Sequence, residues 1–148
     1  MASRGIGKAC ALVLAGEGCN VAIYARGKEA LEKAAEAIKA KEIQVLAVHA
    51  DVAKQEDIKS IVAKTIEKFG RIDVLVNNAG TGRLSDLMQL PEEEFRYNMD
   101  LMFFGLIQCS KEVVPYMREQ GREGSSISPR SSESNQVAWW TMTLSKRP

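Results

Sequence analysis

An α/β fold with a parallel sheet buried on both faces is predicted from three observations. Apolar segments alternate with amphipathic helical segments in the order helix, strand, helix, strand, helix, strand along residues 5–80, the signature of βαβ units. The strand segments at 20–25, 43–49 and 71–76 are short and apolar, as strands covered on two faces are. Polar residues able to touch a ligand, Asp51 and the pair Asn77 and Asn78, stand directly after two of those runs, at the strand ends where open α/β sheets bind ligands.

Each element follows from its own residues. "GIGKACALVLAGEGC" sets Ile6, Ala9, Leu12, Val13 and Leu14 at helical spacing and stops at Gly16 and Gly18, so the chain opens directly into a helix. "NVAIYA" (20–25) is a strand, and "KEALEKAAEAIKAK" (28–41) gathers Leu31, Ala34, Ala35 and Ile38 on one helical face with charges opposite. "IQVLAVHAD" is the second strand. The next helix brings Ile58, Ile61, Val62, Ile66 and Phe69 into phase and closes at Gly70. "RIDVLVNNAG" (71–80) is a third strand running into a polar turn, and Thr81 to Pro91 form a loop. Pro91 and three glutamates then open a long helix at its anion-preferring end. Its middle, "LMFFGLIQC", is apolar nearly all round, which predicts burial against the sheet and against a subunit partner. Beyond Gln120 the periodicity disappears into "EGSSISPRSSESNQ", and no internal repeat is visible.

A chain of 148 residues suffices for one domain with a real core. Twenty Lys and Arg against 19 Asp and Glu leave a formal charge of +1, so no global field draws the chain to nucleic acid or membrane. Three cysteines at unrelated spacings (Cys10, Cys19 and Cys109) suit reduced core thiols. No apolar run reaches the roughly 18 residues of a membrane span, and the first residues carry no signal-peptide pattern. A soluble cytoplasmic protein is expected, with no nucleic-acid or membrane partner and no metal cluster.

"SRGIGKA" at a helix start can turn backbone N–H groups toward phosphate oxygens; alone it is equally a tight turn before a helix. Asp51 reads as a ligand contact or as an N-cap for the helix over 54–69. Asn77 and Asn78 read as a ligand contact or a turn, and His49 as a packed or rim histidine. Taken together and in this order, three strand or loop ends converge on one crevice.

The combination resembles the short-chain dehydrogenase/reductase family, in its 3-oxoacyl-acyl-carrier-protein reductase branch, over residues 2 to about 122. The resemblance implies a partial Rossmann fold: a doubly wound parallel sheet lacking its first strand and its C-terminal part. Ser3, Arg4, Gly5, Ile6 and Gly7 match the latter part of the family's glycine-rich cofactor loop. Asp51 and Val52 match its adenine-contacting pair, and Asn77, Asn78, Ala79 and Gly80 match the Asn-Asn-Ala-Gly turn beside the nicotinamide ribose. An acidic residue just after the second strand would suit the ribose hydroxyls of NAD, whereas this chain carries Ala25 and Arg26 there. Arginine suits a 2′-phosphate, so NADP(H) is expected, with NAD(H) possible.

Three departures from the family pattern stand out. Met1 lies within the glycine motif, so the strand that precedes the motif in the family is missing, leaving a slot between the strand 20–25 and the strand 71–76. Met102 occupies the position of the family's catalytic Asn. After "PYMREQG" the family continues with a strand of the type R-I-I-N-I-S-S and then a Tyr-x-x-x-Lys pair, neither of which is present. Read one base out of frame, however, residues 123–130 admit R-I-I-N-I-S-S, and Trp139 to Lys146 admit V-D-Y-D-x-x-K, with Tyr and Lys at the required separation. Residues 1–121 are therefore expected to form an incomplete NAD(P)-binding domain and 122–148 an irregular, out-of-frame tail.

By resemblance the parental enzyme moves a hydride between NADP(H) and a carbonyl or secondary alcohol, of 3-oxoacyl thioester or sugar and alcohol type. A tyrosine acidified by a neighbouring lysine serves as acid or base, and a serine holds the substrate oxygen. This chain as written carries none of the three, so no catalytic residue is named and inactivity is expected. The alternative is a non-catalytic fragment that keeps a remnant cofactor site or pairs with an intact homologue through the helix 92–119, the family being usually homo-oligomeric.

Overall fold

A computed structural model describes residues 5–80, 87–120, 126–127 and 139–146. Helix α1 (Gly5–Gly16) leads into strand β1 (Cys19–Ala25), followed by α2 (Lys28–Lys39), β2 (Val45–His49), α3 (Gln55–Phe69) and β3 (Val74–Gly80). After a 3-10 turn (Leu87–Gln89), α4 (Glu92–Met99) runs through a π turn (Asp100–Phe104) into α5 (Gly105–Glu119). Strands β4 (Ser126–Ile127) and β5 (Trp139–Lys146) complete the sheet, whose order is β2-β1-β5-β3-β4.

Two hydrophobic clusters, one for each face, account for the doubly wound arrangement. Val21, Ile23 and Ala25 of β1 and Val76 of β3 pack with α1 and α2. Tyr24 of β1 and Leu75 of β3 pack with α3 and α5. The period of two along each strand sends alternate residues to opposite faces, so covering both faces consumes a continuous apolar run. Edge strand β2, by contrast, has exposed positions at Ala47 and His49. The α2 stripe is the one its periodicity predicts, with Leu31, Ala34, Ala35 and Ile38 all buried. In α3, Ile58, Ile61 and Val62 are buried as expected, and Thr65 joins them by donating its hydroxyl to the Ile61 carbonyl at 2.7 Å. That helix ends where predicted: Gly70 takes a left-handed φ of 72° and donates its N–H to the Ile66 carbonyl at 2.7 Å. A side chain there would be strained.

Helix α1 corrects the predicted stripe. Gly7, Ala11 and Ala15 are its buried residues, while Ile6 is 48% and Val13 65% exposed. Small residues at i, i+4 and i+8 let the helix axis sit close to the sheet; Leu12 and Leu14 pack partly buried against the same cluster, and Ile6 and Val13 are left on the outer side.

The expected open slot is also corrected. β5 fills it, running antiparallel to both neighbours: Val21 stands opposite Leu144 on one side, and Val74 opposite Leu144 on the other. β4 adds a short parallel rung to the outer edge of β3, with Leu75 opposite Ser126. Within the tail expected to be irregular, residues 126–127 and 139–146 are extended as strands. Two facing strand edges carry unmet N–H and C=O groups and template whatever extended segment reaches them, and antiparallel pairing is the slightly more stable choice. The sheet is consequently mixed, parallel for β1 with β2 and for β3 with β4.

The long apolar helix buries one stripe only, Leu101, Gly105, Cys109, Val113 and Met117. Phe95, Met99, Met102, Phe103 and Phe104 remain between 39% and 53% exposed. Cys10, Cys19 and Cys109 are not joined in disulfides, and the last two are buried.

Candidate functional site

The C-terminal ends of β1, β2 and β3 open onto one cleft, whose empty space with the open mouth included is about 290 Å³. Tyr24 and Ala25 of β1 line it with Arg26 just beyond, Ala50, Asp51 and Val52 line it from the segment after β2, and Ala79 and Gly80 from β3, with Leu101 closing one side. Parallel strands deliver this convergence because their carboxyl ends all point the same way. The Ala50 N–H donates to the Ala25 carbonyl at 3.2 Å, carrying the β1–β2 pairing past His49 into the cleft wall.

Asp51 is held on both its backbone and its side chain. Its N–H donates to Asp57 Oδ2 at 2.7 Å, and its Oδ1 accepts the Ala53 N–H at 3.1 Å. Lys54, rather than Asp51, is the N-cap of α3, so the N-cap reading does not apply. Val52 is buried behind Asp51 because α5 approaches through a glycine: a Cβ on Gly105 would stand 2.8 Å from the Val52 carbonyl oxygen.

Arg26 is anchored at its main chain, where the carbonyl accepts a hydrogen bond from His49 Nε2 at 2.8 Å. Its guanidinium carbon lies 5.3 Å from the centre of the Tyr97 ring, within cation–π range. Arg26 Nη1 donates to the Tyr97 hydroxyl oxygen, and that hydroxyl donates to Asp51 Oδ2 at 3.2 Å. Arg26 Nη1 itself is 4.0 Å from Asp51 Oδ2. Partial burial, followed by the charge of Asp51, raises the Tyr97 phenol above its ordinary value, with Arg26 opposing. The phenol therefore stays protonated and keeps its donor at neutral pH.

The cleft thus gathers Arg26, Asp51, Val52, Ala79 and Gly80 among the predicted residues. Asn77 and Asn78 lie one step earlier on β3 and are buried, with Asn77 Nδ2 donating to Ser110 Oγ of α5 at 3.2 Å. Gly5, Ile6 and Gly7 open α1 and do not line the cleft; Gly5 has a φ of 65°. Ser3 and Arg4 lie outside the described residues, as does most of the loop from Thr81. Met102 sits within the π turn, 41% exposed. Sequence reasoning misses Tyr97, Asp57 and Gly105. Only Gly105 leaves a signal, since a lone glycine inside a helical pattern implies a packing reason. An apolar slot with one carboxylate at its side and one guanidinium at its rim suits a flat heteroaromatic group that offers an amino donor and carries an anion nearby. Among the described residues, no group of three His, Cys, Asp or Glu could hold a metal ion, and no helix is long and apolar enough to cross a membrane.

A family model described as short chain dehydrogenase matches residues 2–143. The chain belongs to the short-chain dehydrogenase family. Over 127 residues it is 42% identical to the 3-oxoacyl-[acyl-carrier-protein] reductase FabG of Staphylococcus epidermidis, covering 85% of this chain and 52% of that protein. Among solved structures it is similar to the alcohol dehydrogenase of the archaeon Thermococcus sibiricus complexed with 5-hydroxy-NADP. That likeness has 36% identity and a TM-score of 0.77, and it covers 84% of this chain and 54% of the other. It is also similar to an NAD+-bound xylitol dehydrogenase, with 31% identity and a TM-score of 0.79, covering 86% and 49%. The chain spans about half the length of the curated relatives it matches. Family membership supports the fold class and a nicotinamide cofactor, and the match runs on past residue 122, where the sequence resemblance fades, to residue 143.

Proposed function

We propose that the cleft is the adenosine end of an NADP(H) site, NAD(H) being the less favoured cofactor, in a cytoplasmic oxidoreductase that acts on a carbonyl or secondary alcohol. The observation that carries this reading is the convergence on one cleft of Arg26 after β1, Asp51 and Val52 after β2, and Ala79 and Gly80 at the end of β3. Asp51 offers a carboxylate to the adenine amino group while Val52 and Ala79 supply apolar walls. Arg26 offers a guanidinium to a 2′-phosphate. Ser3, Arg4, Gly5, Ile6 and Gly7 would hold the pyrophosphate, and Asn77, Asn78, Ala79 and Gly80 the nicotinamide ribose. A bound nicotinamide supplies or accepts the hydride; the chain's part is to bind and orient. The 3-oxoacyl thioester is the first substrate class to test, because the FabG of Staphylococcus epidermidis is named for it, with sugars and small alcohols next.

This chain as written is proposed to bind cofactor without turning over substrate. Met102 cannot hold a relay water, and the serine, tyrosine and lysine of the family pattern occur only when residues after about 121 are read one base out of frame. The division into a cofactor-binding unit over 1–121 and an out-of-frame tail over 122–148 rests on the same reading. Sequencing the gene across the codons for Gly121 to Ser125 tests it, together with an assay of 3-oxoacyl-dependent NADPH oxidation. One missing base there, with activity restored on repair of the frame, supports the proposal; an intact frame and a turning-over chain defeat it.

A second reading is favoured by the exposed row Phe95, Met99, Met102, Phe103 and Phe104: association with an intact homologue through the helix over 92–119. Co-purification without cofactor would support it.

A further inference from the structure

Resting on the cofactor reading above, we infer that Tyr97 is a positioning residue for cofactor selectivity, holding Arg26 apart from Asp51 so that both stay available to the nucleotide.

Arg26 is a long side chain, 41% exposed, with a carboxylate close by. Left to itself, such a pair closes into a direct ion pair, since the guanidinium fork matches a carboxylate. Arg26 Nη1 instead stops 4.0 Å from Asp51 Oδ2, and the Tyr97 hydroxyl is hydrogen-bonded to both groups. It accepts from Arg26 and donates to Asp51 at 3.2 Å. The ring adds a second restraint, lying 5.3 Å from the guanidinium carbon. His49 fixes the Arg26 carbonyl at 2.8 Å, so only the side chain is left to be aimed. Both Arg26 and Asp51 line the cleft. The guanidinium spends one N–H on Tyr97 and keeps the rest of its five for an anion. The carboxylate still has lone pairs for an amino donor.

Removing the hydroxyl while keeping the ring should let Arg26 fold onto Asp51. The loss then falls on recognition of the 2′-phosphate rather than on the adenosine as a whole. The probes are 2′-AMP and 5′-AMP, which differ in the phosphate position, titrated calorimetrically into the full 148-residue chain. Circular dichroism checks that each variant is folded. Tyr97→Phe is expected to weaken 2′-AMP about fivefold while changing 5′-AMP less than twofold. Arg26→Ala is expected to weaken 2′-AMP about tenfold or more. In the Arg26→Ala background, Tyr97→Phe should no longer move the ratio of the two affinities.

Equal weakening of both probes by Tyr97→Phe, or an unchanged ratio, overturns the inference and leaves the cofactor reading standing if Arg26→Ala still discriminates. If Arg26→Ala spares 2′-AMP, or neither probe binds the folded wild-type chain, the cofactor reading fails and the inference with it. Should Tyr97→Phe lose the fold, Tyr97→Gln, with an acceptor for Arg26 and a donor for Asp51, decides instead. A retained ratio supports the positioning role, and a lost ratio opposes it.

Discussion

Gly105→Ala sets two opposing effects against each other at the point where α5 meets the cleft. The new Cβ would lie 2.8 Å from the Val52 carbonyl oxygen and 3.2 Å from the Asp100 carbonyl oxygen. Carbon–oxygen contacts settle at about 3.3–3.6 Å even when favourable, so α5 must retreat by about half an ångström. Both obstacles are backbone atoms, one at the end of β2 and one in the preceding turn, and neither can swing aside as a side chain would. Overpacking of this kind costs about 1–3 kcal/mol. Against it stands the better helix propensity of alanine, worth about 1 kcal/mol over glycine. The sum is a net destabilisation near 1 kcal/mol, a fall of about 2–4 °C in Tm for a chain of this size. Urea unfolding followed by circular dichroism measures it, and 5′-AMP titration should show weaker binding because the retreat unsettles Val52. A variant stabilised by about 1 kcal/mol, the propensity gain alone, would refute the close packing of α5 on the cleft.

Other perturbations separate the core, the site and the tail. Ile38→Ala removes a fully buried side chain of α2 and is expected to cost about 2–5 kcal/mol. Val13→Ser, on the outer side of α1, should fall within about 0.5 kcal/mol by the same denaturation assay. Because Tyr97 ionises above its ordinary value in the folded chain, its contribution to stability is complete below the usual tyrosine value of about 10 and is lost as pH rises through the higher folded value. An alkaline absorbance titration should lose one phenol ionisation above the usual tyrosine value in Tyr97→Phe, and a titration unchanged by the substitution would contradict the assignment. Deleting residues 122–148 withdraws β5 and bares the facing edges of β1 and β3. Light scattering should then report self-association, and a monomer with a sharp melt would count against the edge argument.

Much of the fold is legible because burial on two faces leaves strong patterns. Val21, Ile23 and Ala25 alternate between clusters with Tyr24, and the α2 and α3 stripes follow the helical period. Helix α1 misleads because close packing selects small residues, so Gly7, Ala11 and Ala15 carry the contact while hydrophobicity points to Ile6 and Val13. The tail misleads for a different reason. Trp140, Met142 and Leu144 alternate with Thr141, Thr143 and Ser145, a strand pattern that a comparison with the family's expected residues hides. In the site, Arg26, Asp51 and Val52 are visible from their place at strand ends. Tyr97 is not, because it reaches the cleft across 46 positions of sequence from Asp51, and no local pattern encodes a contact of that span. Asp57 is likewise silent, being one more acidic residue in the first turn of a helix.

The central claim is that this chain holds the adenosine end of a phosphorylated nicotinamide cofactor between Arg26 and Asp51. A fluorescence titration of the chain with NADPH, repeated with NADH and with Arg26→Ala, tests it most directly. The expected result is saturable binding that is tighter for NADPH than for NADH, the difference disappearing in Arg26→Ala. Binding that ignores the 2′-phosphate, or that Arg26→Ala leaves unchanged, would contradict the claim.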